Sequence, residues 1–263
     1  MAHNNLLKAS EWMDLVPYKR GEIIKELSLP IPWLMIEIWA STNQWTLLSL
    51  IASSFFFLTC LRLSHNAFHY SLGLTRATTN VVMMVVSVLM LTSMRATQYT
   101  HMLHHRYCLG DKDVEGSIAR LPFYEMLLAA PLFSIRLHID ALKHAKAKQK
   151  FGINVELSLN VIWIVLVWFW FEYDALKIHT VIMMLCHLVS PFFTVWSVHH
   201  DCEISDDNAH NSRTLRHRIM SLLAYDMLYH LEHHYYPAVP TCHLRELACR
   251  LDQAGLNNYK TVL

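Results

Sequence analysis

The sequence predicts an all-α fold: an integral membrane helical bundle with a helical cap outside the bilayer. The expectation rests on an apolar composition, on four stretches without an acidic or basic residue, and on three histidine sets at helical spacing. Of 263 residues, 54% are apolar and only 16% are charged; the mean hydropathy of +0.24 is high for a soluble domain. Glycine is scarce at 6, whereas methionine (13) and tryptophan (8) are plentiful. A net charge of +1 supplies no basic field for nucleic acid.

Ile38–Leu61 runs for 24 residues without Asp, Glu, Lys or Arg, enough to cross the ~30 Å hydrocarbon core. The preceding part is unsettled, because Leu27–Leu61 is marginal for two crossings and Glu37 interrupts it. Ala77–Met94 offers 18 uncharged residues between Arg76 and Arg95. Leu157–Phe171 offers 15, and spans if Asn154–Glu156 and Glu172–Tyr173 sit at the interfaces. Ile178–His200 gives 23, carrying His179, His187 and Pro191. Beyond it, Pro237 and Pro240 end one helix and Thr241 is placed to cap the next. Leu244, Leu247, Ala248 and Leu251 recur at helical spacing, and Gly255 is the expected stop. The opening MAHNNLLKASEWMDLVPYKRGE lacks a signal-peptide core, so it is expected to be retained. The six cysteines form no C-x-x-C pair and read as free thiols.

The histidines carry the chemistry. His65 and His69 sit as H-x-x-x-H; His101, His104 and His105 sit as H-x-x-H-H, and so do His230, His233 and His234. Positions i, i+3 and i+4 share a helix face, so each set points its imidazoles one way. Imidazole suits iron, zinc and copper, and eight of them imply more than one metal ion. No H-E-x-x-H of zinc hydrolases occurs, and the first two sets lack the internal glutamate of carboxylate-bridged bundles. A pair of metals held mainly by histidine is the reading that remains. A metal transporter would be expected to hold its ligands near the midplane of broken spans, whereas these sets lie at span ends.

The sets also constrain topology. If Ala77–Met94 crossed the bilayer, His65 and His101 would lie ~30 Å apart on opposite sides. That segment is therefore expected to dip in or lie along the interface, while Leu157–Phe171 and Ile178–His200 make two crossings. The connection holding Glu172, Asp174 and Lys177 is slightly acidic. The histidine side carries Lys143, Lys146, Lys148 and Lys150, and also Arg213, Arg216 and Arg218. By the positive-inside rule the cap faces the cytoplasm. The expected organisation is one domain over 1–263: an N-terminal cytoplasmic or interfacial segment (1–26), spans with the first two sets (27–200), and the cap with the third (201–263).

HNAFH, HMLHH and HLEHH, in that order among apolar spans, resemble the three histidine boxes of the integral-membrane fatty acid desaturase superfamily. The ending YHLEHHYYPAVP resembles that family as well, and the likeness covers Arg62 to Leu251. It implies two iron ions, dioxygen as co-substrate, and oxygen-dependent desaturation of a lipid-, CoA- or carrier-linked fatty acyl chain. A hydroxylase or ketolase acting on a carotenoid or another hydrophobic substrate is the alternative. Electrons would come from a separate ferredoxin or cytochrome b5 type of protein. The implied ligands are the eight box histidines and His199 in WSVHHD, where Val198 stands in place of the acidic residue common in the family. His200 and His210 are further candidates. Asp111, Asp113, Asp201 and Glu232 are candidates for orienting the ligand imidazoles. Arg106 and Arg213 are candidates for a substrate headgroup or for lipid phosphate. His138, His144, His179, His187, His217 and His243 fall outside the boxes and are expected to be structural.

Overall fold

A computed structural model describes residues 7–202 and 211–256, and the described residues form helices and turns. Helices α1 (Arg20–Ser28) and α2 (Ile31–Thr42) lead into α3 (Thr46–Phe68). Then come α4 (Arg76–Met90), α5 (Met94–Tyr107), α6 (Phe123–His144), α7 (Ala147–Phe169) and α8 (Asp174–Pro191). A π-turn at Phe192–Trp196 carries α8 into the short α9 (Ser197–His199). The C-terminal part contains α10 (Arg218–Leu223), α11 (His230–Tyr235) and α12 (Leu244–Gln253).

Among the described residues, three helices are long and apolar enough to cross a membrane: α3, α7, and α8 with its continuation to His199. The first two start and end differently from the uncharged windows. The chain breaks after Thr42, where Gln44 takes a left-handed φ of 62°, so α2 has only 12 residues, ~18 Å of helix. Helix α3 instead runs past Leu61, because Arg62 is neutralised inside the protein. Its Nε and Nη2 donate to both oxygens of buried Glu26 at 2.8 Å, and its Nη1 to the Tyr225 carbonyl at 2.6 Å. Helix α7 begins ten residues before Leu157, and Glu156 lies buried rather than at an interface. Thr42 Oγ1 meets Tyr173 Oη at 2.7 Å, so the α2–α3 and α7–α8 turns lie at one end of the bundle. From that end α3 and α8 both run toward the histidines.

Ala77–Met94 does not form a straight crossing. Leu91 takes a left-handed φ of 54° after α4, Ser93 caps α5 by accepting from Ala96 N–H, and the two axes meet at 109°. Glu156 fixes the corner. Its Oε2 accepts from Ser93 Oγ at 2.7 Å and from Arg95 N–H at 2.9 Å, which places a carboxylate at the positive end of α5. Gly152 on α7 admits the Arg95 side chain, which a Cβ there would strike.

Helix α6 coincides with no uncharged window, yet it turns a continuous apolar face outward. Tyr124, Leu128, Leu132, Ile135 and Ile139 are all exposed at helical spacing, a stripe suited to lipid. On α12, Leu244, Leu247, Ala248 and Leu251 are buried as their spacing requires, packed with Leu7, Leu15, Tyr235 and Tyr236. Gly255, at a φ of +94°, closes α12 while Leu256 N–H reaches back to the Leu251 carbonyl.

Candidate metal centre

The last turn of α3, the face of α5, the end of the α8–α9 span and α11 converge on one point. His65, His69, His101, His105 and His233 bring one donor atom each within 4.8 Å of one another. His104, Cys108, His199 and His234 form a second such group. His230 joins the second group, its Nε2 lying 2.8 Å from His199 Nε2 and 3.0 Å from His234 Nε2. The groups touch: His105 Nε2 lies 3.1 Å from His101 Nε2 and 2.9 Å from His233 Nε2, and its ring stacks on His234 at 4.4 Å. His69 and His101 meet at 3.1 Å through Nε2, so the first two sets lie on the same side despite the segment between them.

This donor geometry fits metal. Two nitrogens bound ~2.1 Å from one ion at right angles stand ~3 Å apart, close to the separations seen here. Both ring nitrogens of His65 are buried without a hydrogen-bond partner, and coordination would satisfy one of them. Burial, reinforced by the neighbouring imidazoles, drives His69, His230, His233 and His234 well below the usual imidazole pKa. Neutral rings offer the lone pairs that a metal ion requires.

The backs of the rings are held too. His104 Nδ1 donates to Asp113 Oδ2 at 2.8 Å, and His101 Nδ1 to Glu115 Oε1 at 3.1 Å. His199 Nδ1 donates to the Asn211 carbonyl at 2.7 Å, which turns its Nε2 toward His104 at 3.0 Å. Burial opposes ionisation of Asp113, but His104 and the Gly116 and Leu109 N–H groups draw its carboxyl down to about 2. Cys108 Sγ sits behind His199, 3.7 Å from Nδ1. Burial, with Asp113 nearby, keeps it a thiol by raising its pKa well above the usual range.

Other sequence candidates are placed elsewhere. His200 turns away, with its Nδ1 donating to the Ala119 carbonyl at 2.9 Å and its ring on Trp196 at 4.2 Å. Asp111 is exposed, and the Asp201 side chain, 81% exposed, lies 3.5 Å from His200. Among the described residues, Glu232 reaches no imidazole. It is fully buried and accepts from Thr214 at 3.1 Å and from Arg216 Nε at 2.8 Å, anchoring α11 through its backbone. Arg106 is exposed and lies over the Tyr107 ring at 5.5 Å. Arg213 N–H donates to the Val198 carbonyl, and its Nε is buried without a partner. His210 lies outside the described residues. His179 bonds Glu37 and the Leu89 carbonyl, and His187 bonds the Met90 carbonyl. Sequence reasoning missed Glu115, Cys108 and Asn211. The signal for Glu115 was present, since it is the third acid of the stretch that supplied Asp111 and Asp113.

An apolar cavity reaches the cluster. Phe57, Leu61, Phe68, Met94, Phe133 and Leu137 form much of its wall, and His65, His101 and His230 close one part of it. No curated protein matches the chain. The family model described as fatty acid desaturase matches residues 39–261, a span that takes in all three histidine sets and His199. With that match over most of its length, the chain belongs to the fatty acid desaturase family.

Proposed function

We propose that the protein is an oxygen-dependent fatty acyl desaturase, with two iron ions held by the eight box histidines and His199. The cavity carries this reading. A chain lying among Phe57, Leu61, Phe68 and Phe133 would present a methylene pair to the wall formed by His65, His101 and His230. Bound in the two donor groups, iron would supply dioxygen activation and removal of hydrogen from an unactivated C–H bond. The protein's share is to hold the rings by their Nδ1 partners, to exclude water with the aromatic wall, and to fix the chain's position. The cluster faces the cytoplasm in this reading, supported by the exposed Lys143, Lys146 and Lys148 where α6 turns into α7. Electrons come from a separate ferredoxin or cytochrome b5 type of donor.

The test is lipid and pigment profiling of an aerobic host expressing the chain, with metal analysis of the purified protein. New acyl double bonds and close to two irons per chain are expected. New hydroxyl or keto groups on a pigment or chain would replace desaturation with hydroxylation or ketolation. Protein holding zinc alone after iron-replete expression would overturn the di-iron assignment.

A further inference from the structure

Asp113 and Glu115 do the same work for neighbouring imidazoles of α5, yet they are used differently. Asp113 engages both oxygens: Oδ2 accepts from His104 and from Leu109 N–H, and Oδ1 accepts from Gly116 N–H. Glu115 engages one. Its Oε1 accepts from His101, whereas Oε2 is buried with no hydrogen-bond partner. Holding His101 explains the first oxygen and leaves the second with its desolvation cost unrecovered. Glu115 lines the apolar cavity.

A second atom on that wall is in the same condition. Buried hydroxyls elsewhere on α3 find partners, Ser49 with Ser41 Oγ at 2.6 Å, Ser53 to the Ser49 carbonyl at 2.7 Å and Thr59 to the Phe55 carbonyl at 2.8 Å. Ser64, beside His65, is 2% exposed and also lines the cavity, but its Oγ has no partner. Two lining residues next to the histidines therefore each carry an unpartnered polar atom, whereas the Thr97, Ser190 and Thr194 hydroxyls of the same lining bond to backbone carbonyls. A plain methylene chain would leave both unsatisfied. A carboxylate oxygen only accepts and a serine hydroxyl can do either, so the missing partner must be a donor.

We propose that Glu115 Oε2 and Ser64 Oγ bind a hydrogen-bond donor, a hydroxyl or an amide N–H, that the substrate carries close to the carbon presented to the histidines. The substrate is then a polar-substituted chain rather than an unsubstituted one. This rests on the reading of the cavity as the substrate site.

The test compares two isomers that differ in donor capacity, hexan-1-ol and 1-methoxypentane. Each is titrated calorimetrically into the metal-loaded full chain in detergent, with free concentrations fixed by headspace analysis. Wild type should bind the alcohol at least ~10-fold more tightly than the ether, the discrimination expected when a buried acceptor is left unpaired. In Glu115→Gln the amide oxygen can keep His101 while its NH2 faces the cavity, so the preference should shift to the ether. Ser64→Ala, which leaves the His101 partner in place, should shrink the preference without reversing it. Equal binding of the isomers by wild type, or the wild-type preference surviving in both variants, overturns the proposal. Phe57→Trp separates the two failures. Isomers that bind equally, and both more weakly in Phe57→Trp, leave the cavity as a chain site and remove only the donor contact. Absence of any binding removes the cavity as substrate site as well.

Discussion

His104 Nδ1 and Asp113 Oδ2 lie 2.8 Å apart, and the same carboxylate gathers the N–H groups of Leu109 and Gly116. The segment after α5 is thereby folded back onto the imidazole it orients. A Cβ on Gly116 would collide with that carboxylate. Asp113→Asn keeps the shape and removes the charge, so metal retention against a chelator should fall 10–100-fold. Asp111→Asn, at an exposed position two residues away, should behave as wild type.

His199→Ala should lose metal, because its Nε2 stands 3.0 Å from His104 Nε2 and 2.8 Å from His230 Nε2. His200→Ala and His187→Ala should retain it, since those rings bond the Ala119 and Met90 carbonyls. His187 lines the cavity, so its loss should act on KM more than on metal content. Full metal content in His199→Ala would remove that residue from the site.

Acid should release the metal and weaken the metal-free fold together. His69, His230, His233 and His234 are held below the usual 6.5 by burial and by neighbouring imidazoles, so the folded state favours the neutral rings. The unfolded chain takes up these protons near the usual value and the folded chain does not. Their contribution is therefore complete above pH 6.5 and is lost progressively as pH falls below it. Protons also compete with metal for the same lone pairs. Metal content after dialysis, and melting of the metal-free protein, followed from about pH 8 to 5, should both decline on the acid side. A flat profile would contradict the assignment.

Deep in the bundle, His179 Nδ1 meets Glu37 Oε1 at 2.9 Å with both side chains almost wholly buried. Removing one partner leaves a buried hydrogen-bonding group unsatisfied, a loss of about 1–3 kcal/mol. Glu37→Ala should lower the melting temperature in detergent markedly, and Glu37→Ala with His179→Phe should recover part of the loss. Metal content should stay near normal throughout, which separates this pair from the centre.

Much of the centre was legible because its signals are local. Spacing of three or four residues announces a shared helix face, and eight imidazoles so arranged state a donor set before any fold is known. Three spans were legible from apolar length alone, but their ends were not. Arg62 marks the end of an uncharged window, yet α3 continues because Glu26, distant in sequence, neutralises it. Glu156 looked interfacial, whereas the buried corner of α5 is what binds it. Helix α6 was missed for the opposite reason. Glu125, Arg136 and Asp140 break the uncharged run while leaving the Tyr124–Leu128–Leu132–Ile135–Ile139 stripe intact. A periodicity test finds that stripe where a window average does not.

The π-turn at Phe192–Trp196 has a consequence for reading phase along the last span. Pairing i to i+5 accommodates about one residue more than an α-helix, so the residues beyond it lag by ~100°. A helical wheel drawn unbroken from Asp174 would carry the lipid-facing stripe of Leu185, Leu188 and Val189 into the wrong angular sector beyond Pro191. The choice between adjacent His199 and His200 is therefore set by the angle gained across five residues: one ring enters the cluster and the other lies against Trp196.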